Sequence, residues 1–230
     1  MKRALVLVIL LLAGCAGVPE PRALSTEEAE RLALIRFSNY TAEHARFTAS
    51  VPSPGGALRL TGRVDFVDHL GYAAMRTDGR DDSSSAGLVQ WNLSTLAYLA
   101  NPATEPVDPP PMGDWQVRPF ARSGSELDAA LRLLVNLAAD RPDNAQLLQQ
   151  SSARWLRKDR VDGVEVDVLE GPQQAGRAPA ADGARVRYWV DADGRLKRLE
   201  ARLGEQQELA TFELLGTATA VEVIPPLRRS

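Results

Sequence analysis

The feature that most constrains the fold of this chain is a strict two-residue alternation of apolar and polar side chains. The alternation runs from 44 to 66 and is interrupted by the Pro- and Gly-rich segment 52–56. Its apolar members are Ala45, Phe47, Ala49, Val51, Leu58, Leu60, Val64 and Phe66. Because successive side chains of a strand point to opposite faces, the pattern predicts antiparallel strands with one buried and one wet face.

Further strands are predicted later in the chain, at 72–77, 88–99, 164–168, 186–190, 196–203 and near 212–214. Asp191-Ala-Asp-Gly194 separates two of them and is typical of a hairpin turn. The same residues resemble part of a calcium loop, but Arg202 stands where such a loop needs a bidentate glutamate. We therefore expect a turn there and no metal site.

Two helices of moderate length are predicted. Ser25 and Glu28 have the spacing of a capping box and open a helix that runs to about Asn39. A second helix is expected from Ser125 to near Asp140, with a short helical piece at 144–150, because apolar residues recur at helical spacing. Those residues are Leu127, Ala130, Leu131, Leu134 and Ala138.

The order helix, strands, helix, strands has no alternating β-α-β rhythm. It predicts an α+β fold in which helices cover one face of an antiparallel sheet. The segment 101–114 contains five prolines, so it is expected to be a long crossing loop instead of a central strand. A second loop is expected at 171–184, and the roles of both loops are left open.

The N-terminus has the pattern of a secretory signal peptide. Two basic residues follow Met1, and an apolar run from Ala4 to Leu12 leads into Leu12-Ala-Gly-Cys15. That run is shorter than the roughly 20 residues that a membrane-spanning helix needs. Cys15 is the one cysteine in the chain, so it has no disulfide partner within the chain.

Leu12–Cys15 resembles the lipobox of bacterial lipoproteins. In that family the cysteine receives diacylglycerol and becomes the first residue of the mature protein. The expected organisation is therefore a signal peptide at 1–14, a lipidated cysteine and tether at 15–23, and a single domain at 24–230. The expected location is outside the cytoplasm, with a lipid anchor in the cell membrane.

The charge balance argues against two classes of partner. The net charge is −3, and loss of Lys2 and Arg3 with the signal peptide changes it to −5. There is no basic surplus to neutralise the phosphates of a nucleic acid. An acidic chain is also not attracted to anionic lipids, so the acyl chains on Cys15 would have to provide the membrane attachment.

Catalytic motifs are not evident in the sequence. The two histidines, His44 and His69, are far apart and belong to no metal-binding or nucleophile motif, and His44 has the parity of the wet face. No G-x-S-x-G segment or glycine-rich phosphate loop is present. We expect a protein that is not an enzyme and needs no cofactor or metal.

A large sheet with only two helices to cover it can leave an apolar hollow, and such hollows bind apolar ligands. The chain resembles the LolA-like lipid-carrier lipoproteins of actinobacteria, of the LppX and LprG type. The resemblance depends on the lipobox and on the hairpin from Arg185 to Glu200 with its Trp-Val-Asp-Ala-Asp-Gly core. It implies a strongly curved half-barrel whose concave face is covered by two main helices.

The resemblance also implies a hydrophobic cavity that holds a lipid or lipoglycan without covalent chemistry. No catalytic residues are carried over from the family, and the cavity lining is assigned here by parity. The expected lining residues are Phe47, Leu60, Val64, Phe66, Trp91, Leu131 and Leu134. Two alternatives remain open: a protein-interaction or sensor module of an envelope complex with a filled core, and a hydrolase.

Overall fold

The computed structural model describes residues 20–79, 86–121, 125–173, 186–203 and 208–229. Within these ranges the chain forms strands, three α-helices and a final 3-10 helix at Leu227–Arg229. In chain order the elements are β1 (Arg22–Ala23), α1 (Thr26–Ala42), β2 (His44–Val51), β3 (Leu58–Asp65), β4 (Leu70–Thr77), β5 (Ala86–Trp91), β6 (Thr95–Ala100), β7 (Gln116–Pro119), α2 (Glu126–Val135), α3 (Ala145–Gln149), β8 (Arg154–Val161), β9 (Val164–Glu170), β10 (Val186–Val190), β11 (Leu196–Arg202) and β12 (Leu209–Thr217).

All strands belong to one antiparallel sheet of twelve strands. Their order is β1-β8-β9-β10-β11-β12-β2-β3-β4-β5-β6-β7, with β1 and β7 at its two edges, and the sheet is not closed. The predicted α+β half-barrel with two main helices is therefore wrong. Among the described elements α1 alone is a long helix, of 17 residues, while α2 and α3 have 10 and 5.

The second predicted helix ends early because its C-terminal residues pair with α1. Asn136 caps α2, and the backbone of the next residues turns away from the helix axis. The Asn39 side chain donates to the carbonyl of Leu137 at 2.8 Å, and the Ala139 N–H donates to the carbonyl of Arg36 at 3.1 Å. These bonds replace the helical ones that the sequence pattern predicted over 136–140.

The predicted start of α1 is confirmed. The Ser25 side chain accepts from the Glu28 N–H, and the Glu28 carboxylate accepts from the Ser25 N–H at 2.8 Å. Glu28 also receives two hydrogen bonds from Arg22, at 2.7 and 2.8 Å, and the Arg22 guanidinium stacks on Trp155. The short strand β1 is therefore fixed both to α1 and to β8.

The main core lies between α1, α2 and the face of the sheet that we call the inner face. Phe47, Leu60 and Trp91 point from β2, β3 and β5 into this core, as the alternation predicted. Leu32 and Ile35 of α1 and Leu131 and Leu134 of α2 belong to the same cluster. The opposite side of the sheet is called the outer face.

The outer face over β3–β6 is covered by the proline-rich loop and the C-terminal segment. The Tyr72 hydroxyl donates to the carbonyl of Val107 at 2.8 Å. Arg63 forms two hydrogen bonds of 2.8 Å with Asp108. Buried Gln90 bonds the C-terminal segment on both sides, donating to the Glu222 carbonyl and accepting from the Ile224 N–H, each at 2.8 Å. The segment 101–114 is therefore a crossing loop, as predicted.

A buried carboxylate connects α1 to β8 and β9. Asp167 is 2% exposed and lies 2.7 Å from both Arg31 of α1 and Lys158 of β8. Its Oδ1 also accepts from the indole N–H of Trp155 at 2.8 Å. These contacts hold one end of the sheet against α1.

The hairpin between β10 and β11 is confirmed. The Asp191 carboxylate accepts from the N–H groups of Asp193 and Arg195 at 3.0 and 2.9 Å, and Gly194 takes a φ of 76°. That backbone conformation favours glycine. The Asp-x-Asp-Gly segment therefore forms the hairpin turn and stabilises it through the Asp191 side chain.

Candidate functional site

The seven residues predicted to line a cavity all lie in the main core. Each of them is at most 1% exposed, and they belong to a single hydrophobic cluster. The rings of Phe47 and Trp91 meet edge to face, with centroids 6.2 Å apart. The core is therefore closely packed around the seven residues that were expected to line a ligand cavity. Cys15 lies outside the described residues.

An opening into the inner face lies beside α2, over β4–β7, and we call it the α2 crevice. Its volume is about 330 Å³. It is lined by Met75, Val89, Leu96, Tyr98, Gln116, Val117, Arg118 and Leu127. Six of these eight side chains are apolar or aromatic, and none belongs to the predicted set. Small-molecule pockets in proteins have this size and this predominantly apolar lining.

The floor of the crevice depends on Gly87. A Cβ atom at this position would collide with the ring of Tyr98, which lies directly over the glycine. The Tyr98 hydroxyl donates to the carbonyl of Ala86 at 3.0 Å, which fixes the ring flat against β5. The aromatic face of Tyr98 is therefore held in place as part of an apolar floor.

The helix that walls the crevice is bonded to β5 and to the turn before β4. The indole N–H of Trp91 donates to the carbonyl of Leu131 at 2.9 Å, and both residues are fully buried. Nδ1 of His69 lies 2.7 Å from the carbonyl of Val135, which needs a partner at the helix end. His69 thus has a structural role in positioning α2.

The mouth of the crevice is closed on one side by an ion pair between β7 and α2. The Asp128 carboxylate is fully buried and accepts from Nη1 and Nη2 of Arg118, each at 2.7 Å. It also accepts from the Ala121 N–H at 2.6 Å. Burial raises the pKa of Asp128, but the hydrogen bonds from Arg118 and Ala121 outweigh it and hold this pKa below its ordinary value. The carboxylate is therefore charged at neutral pH.

Three other openings are larger than the crevice, and two of them have a more polar lining. A groove of about 710 Å³ crosses the outer face under residues 103–105. Its lining is mainly hydroxyl and charged groups, among them Thr48, Ser50, Arg59, Thr61, Arg76, Asp78, Glu105, Thr211 and Glu213. A cleft of about 620 Å³ at the C-terminal end of α1 reaches Phe66 but is rimmed by His44, Arg195 and Lys197. The α2 crevice is thus more apolar than these two.

The second histidine is also structural. His44 was expected to face water, but its Nε2 lies 2.9 Å from Oδ2 of Asp65, which is 4% exposed. The other carboxylate oxygen of Asp65 accepts from two N–H groups of the following turn. Within the described ranges, no three His, Cys, Asp or Glu side chains are grouped so that they could hold a metal ion.

The residues of the crevice are not evident from the amino-acid sequence, for a definable reason. The position of a residue in the two-residue alternation assigns its side chain to the inner face. It does not show how far a helix extends over that face. Met75, Leu96 and Tyr98 share the inner face with Trp91, yet α2 covers Trp91 and leaves the other three at its margin. Arg118 gave no signal because it lies on a four-residue edge strand without alternation.

Comparisons with known proteins add no functional information. No protein-family model matches the chain, and no curated protein is similar to it. Among solved structures, the chain is similar to an uncharacterized conserved protein from Thermus thermophilus. The identity is 11%, the match covers 81% of this chain and 83% of that one, and the TM-score is 0.37. None of the helices described here is both long and apolar enough to span a bilayer.

Proposed function

We propose that the protein is an extracytoplasmic lipoprotein, anchored through Cys15, that binds the acyl chain of a lipid in the α2 crevice without catalysing a reaction. The observation that carries this proposal is the apolar lining of the crevice by Met75, Leu96, Tyr98 and Leu127. The predicted kinship with LolA-like lipid carriers is part of the proposal, and it is supported by the lipobox and the Arg185–Glu200 hairpin sequence.

The physical reason for binding is the removal of methylene groups from water. Each buried methylene contributes about 0.8 kcal/mol. Affinity should therefore rise with chain length until the crevice of about 330 Å³ is full, and then level off. A ligand without an apolar chain has no comparable driving force at this site.

The position of β1 supports a close membrane association. Arg22 and Ala23 pair with Trp155 and Arg154, so the ordered sheet begins seven residues after Cys15. A chain of seven residues reaches at most about 25 Å when fully extended. An acylated Cys15 would thus hold the domain within that distance of the bilayer, where acyl chains are available.

The proposal is tested with the chain from Ala16 onward, which retains every element described above. Binding is measured by displacement of N-phenyl-1-naphthylamine, an uncharged dye, with fatty acids of increasing length. Leu127→Trp fills the crevice from α2 and should weaken binding strongly, whereas Leu147→Trp, at a side chain that is 64% exposed on α3, should not change it. Thermal unfolding of both variants controls for folding.

Two results would count against the proposal. One is an absence of dye and fatty-acid binding in the unaltered protein. The other is equal affinity in Leu127→Trp and Leu147→Trp, because it would place the bound chain elsewhere.

A second candidate function is a protein-interaction module, which is favoured by an exposed apolar surface on the outer face. Met112 is 88% exposed and lies in a pocket of about 400 Å³ that also includes Trp115, Pro225 and Pro226. The close packing around Phe47 also fits a module with a filled core. Met112→Glu should abolish association with an envelope protein if this function is correct, and leave fatty-acid binding unchanged if the lipid-binding function is correct.

A further inference from the structure

The guanidinium of Arg118 is fixed at the boundary between the apolar crevice and solvent. Arg118 is the antiparallel partner of Leu96, a floor residue of the crevice, and its side chain is 46% exposed. The two bonds to buried Asp128 hold the guanidinium plane in one orientation. A charged group is thus held rigidly beside an apolar cavity.

Only one edge of this guanidinium is used by Asp128. Nη1 and Nη2 form the end-on pair with the carboxylate, and Nη1 also donates to the carbonyl of Pro119 at 3.1 Å. A guanidinium carries five N–H donors in a planar fork. In the described part of the chain, Nε and the second hydrogen of Nη2 have no acceptor. These two donors form the side-on edge, whose spacing matches a second carboxylate.

One further donor lines the crevice, and another lies beside the Arg118–Asp128 ion pair. Gln116, two residues before Arg118 on β7, also lines the crevice. Arg132 lies one helical turn after Asp128 and donates to the carbonyls of Asp128 and Ala121 at 3.4 and 3.3 Å. Among Gln116, Arg118, Asp128 and Arg132 the one carboxylate, that of Asp128, is already bonded by Arg118. The mouth therefore favours an anionic head group over a neutral or cationic one.

We propose that the α2 crevice takes a single-chain amphiphile with a carboxylate head group. The chain lies over Met75, Leu96 and Tyr98, and the carboxylate binds the side-on edge of Arg118. This inference depends on the proposed function, because it identifies the class of ligand for the same crevice. The volume of about 330 Å³ favours one chain over several.

The test compares ligands of equal chain length and different charge. Displacement of N-phenyl-1-naphthylamine is measured with hexadecanoate and with 1-hexadecanol at neutral pH, using the chain from Ala16 onward. Hexadecanoate should bind about tenfold more tightly, since hydrogen bonds to a charged group are stronger than those to a neutral one. Added salt should reduce this preference.

Two variants locate the preference at Arg118. Arg118→Lys keeps the charge opposite Asp128 but removes the planar fork, and the ratio of the two affinities should fall severalfold. The double variant Arg118→Gln/Asp128→Asn removes both charges without leaving Asp128 unpaired, and the ratio should fall to about one. Because the ratio compares two ligands on the same protein, a loss of folded protein does not change it.

The outcomes separate this inference from the proposed function. Equal affinities for the acid and the alcohol in the unaltered protein would overturn the inference and leave lipid binding intact. A preference that survives in Arg118→Gln/Asp128→Asn would also overturn it. Failure of both ligands to bind would overturn the inference together with the proposed function.

Discussion

The packing of Trp91 against Gly71 gives the sharpest prediction about stability. The two residues are direct partners in β5 and β4, and the six-membered part of the indole lies over the glycine. A Cβ atom at Gly71 would overlap that ring. Gly71→Ala must therefore displace the indole, whose N–H is bonded to Leu131.

The cost can be worked from these contacts. Overfilling a packed core costs about 1–3 kcal/mol, and loss of the buried Trp91–Leu131 hydrogen bond costs about 1–3 kcal/mol more. Gly71→Ala should thus lower the free energy of unfolding by about 2–6 kcal/mol. Gly163→Ala, where an added Cβ meets no atom within 4 Å and φ is 80°, should cost only the strain of a left-handed backbone, about 1–2 kcal/mol.

A double-mutant cycle tests the cause. The phenylalanine ring in Trp91→Phe lacks the atoms that an added Cβ would strike, so it should tolerate Gly71→Ala better than tryptophan does. The double variant should be more stable than the sum of the single effects by about 1–3 kcal/mol. Urea unfolding followed by far-ultraviolet circular dichroism measures all four proteins. Additive effects would refute the proposed collision between the glycine position and the indole.

Two further predictions concern pH. Because Arg118 holds the pKa of Asp128 below its ordinary value despite burial, the stabilisation from this ion pair is present above about pH 4 and is lost as the pH falls towards the lowered pKa. Asp128→Asn should reduce stability at pH 7 and flatten the acid limb of a plot of unfolding free energy against pH. An unchanged acid limb would contradict this. Burial raises the pKa of Tyr72 to about 12. Its protonated hydroxyl stabilises the fold by donating a hydrogen bond to the carbonyl of Val107. This contribution is fully present below about pH 10 and is lost as the pH rises through about 12. Burial also raises the pKa of Tyr188. Ultraviolet titration should therefore show two tyrosines that ionise late, and Tyr72→Phe should remove one of the two signals.

The alternation of side chains predicted much of the sheet but not its full width. Strands β2 and β3 lie where the alternation placed them. Strand β8 was missed because Arg154–Val161 carries four basic residues and has no apolar face of its own. Its neighbours supply the partners instead, since buried Asp167 of β9 bonds both Trp155 and Lys158. A charged strand near a sheet edge is a common protection against aggregation, and its pattern resembles a loop.

The candidate site was less predictable than the fold for a physical reason. Buried side chains such as Phe47 and Val64 share the inner face with crevice residues such as Leu96 and Tyr98. What separates them is the position of α2, which depends on hydrogen bonds between residues far apart in sequence. The bond from Trp91 to Leu131 is one of these. Periodicity identifies the apolar face, but long-range contacts decide which part of it stays open.

Photolabelling locates a bound acyl chain on the protein. A fatty acid that carries a diazirine in its chain is bound to the protein, irradiated, and its attachment sites are mapped by mass spectrometry. Labels are expected on Leu96, Tyr98 and Leu127, which line the crevice and not the outer-face groove, and they should disappear when unlabelled hexadecanoate competes. Labels on the outer-face groove or around Met112 and Trp115, or labels that resist competition, would contradict a ligand site in the α2 crevice.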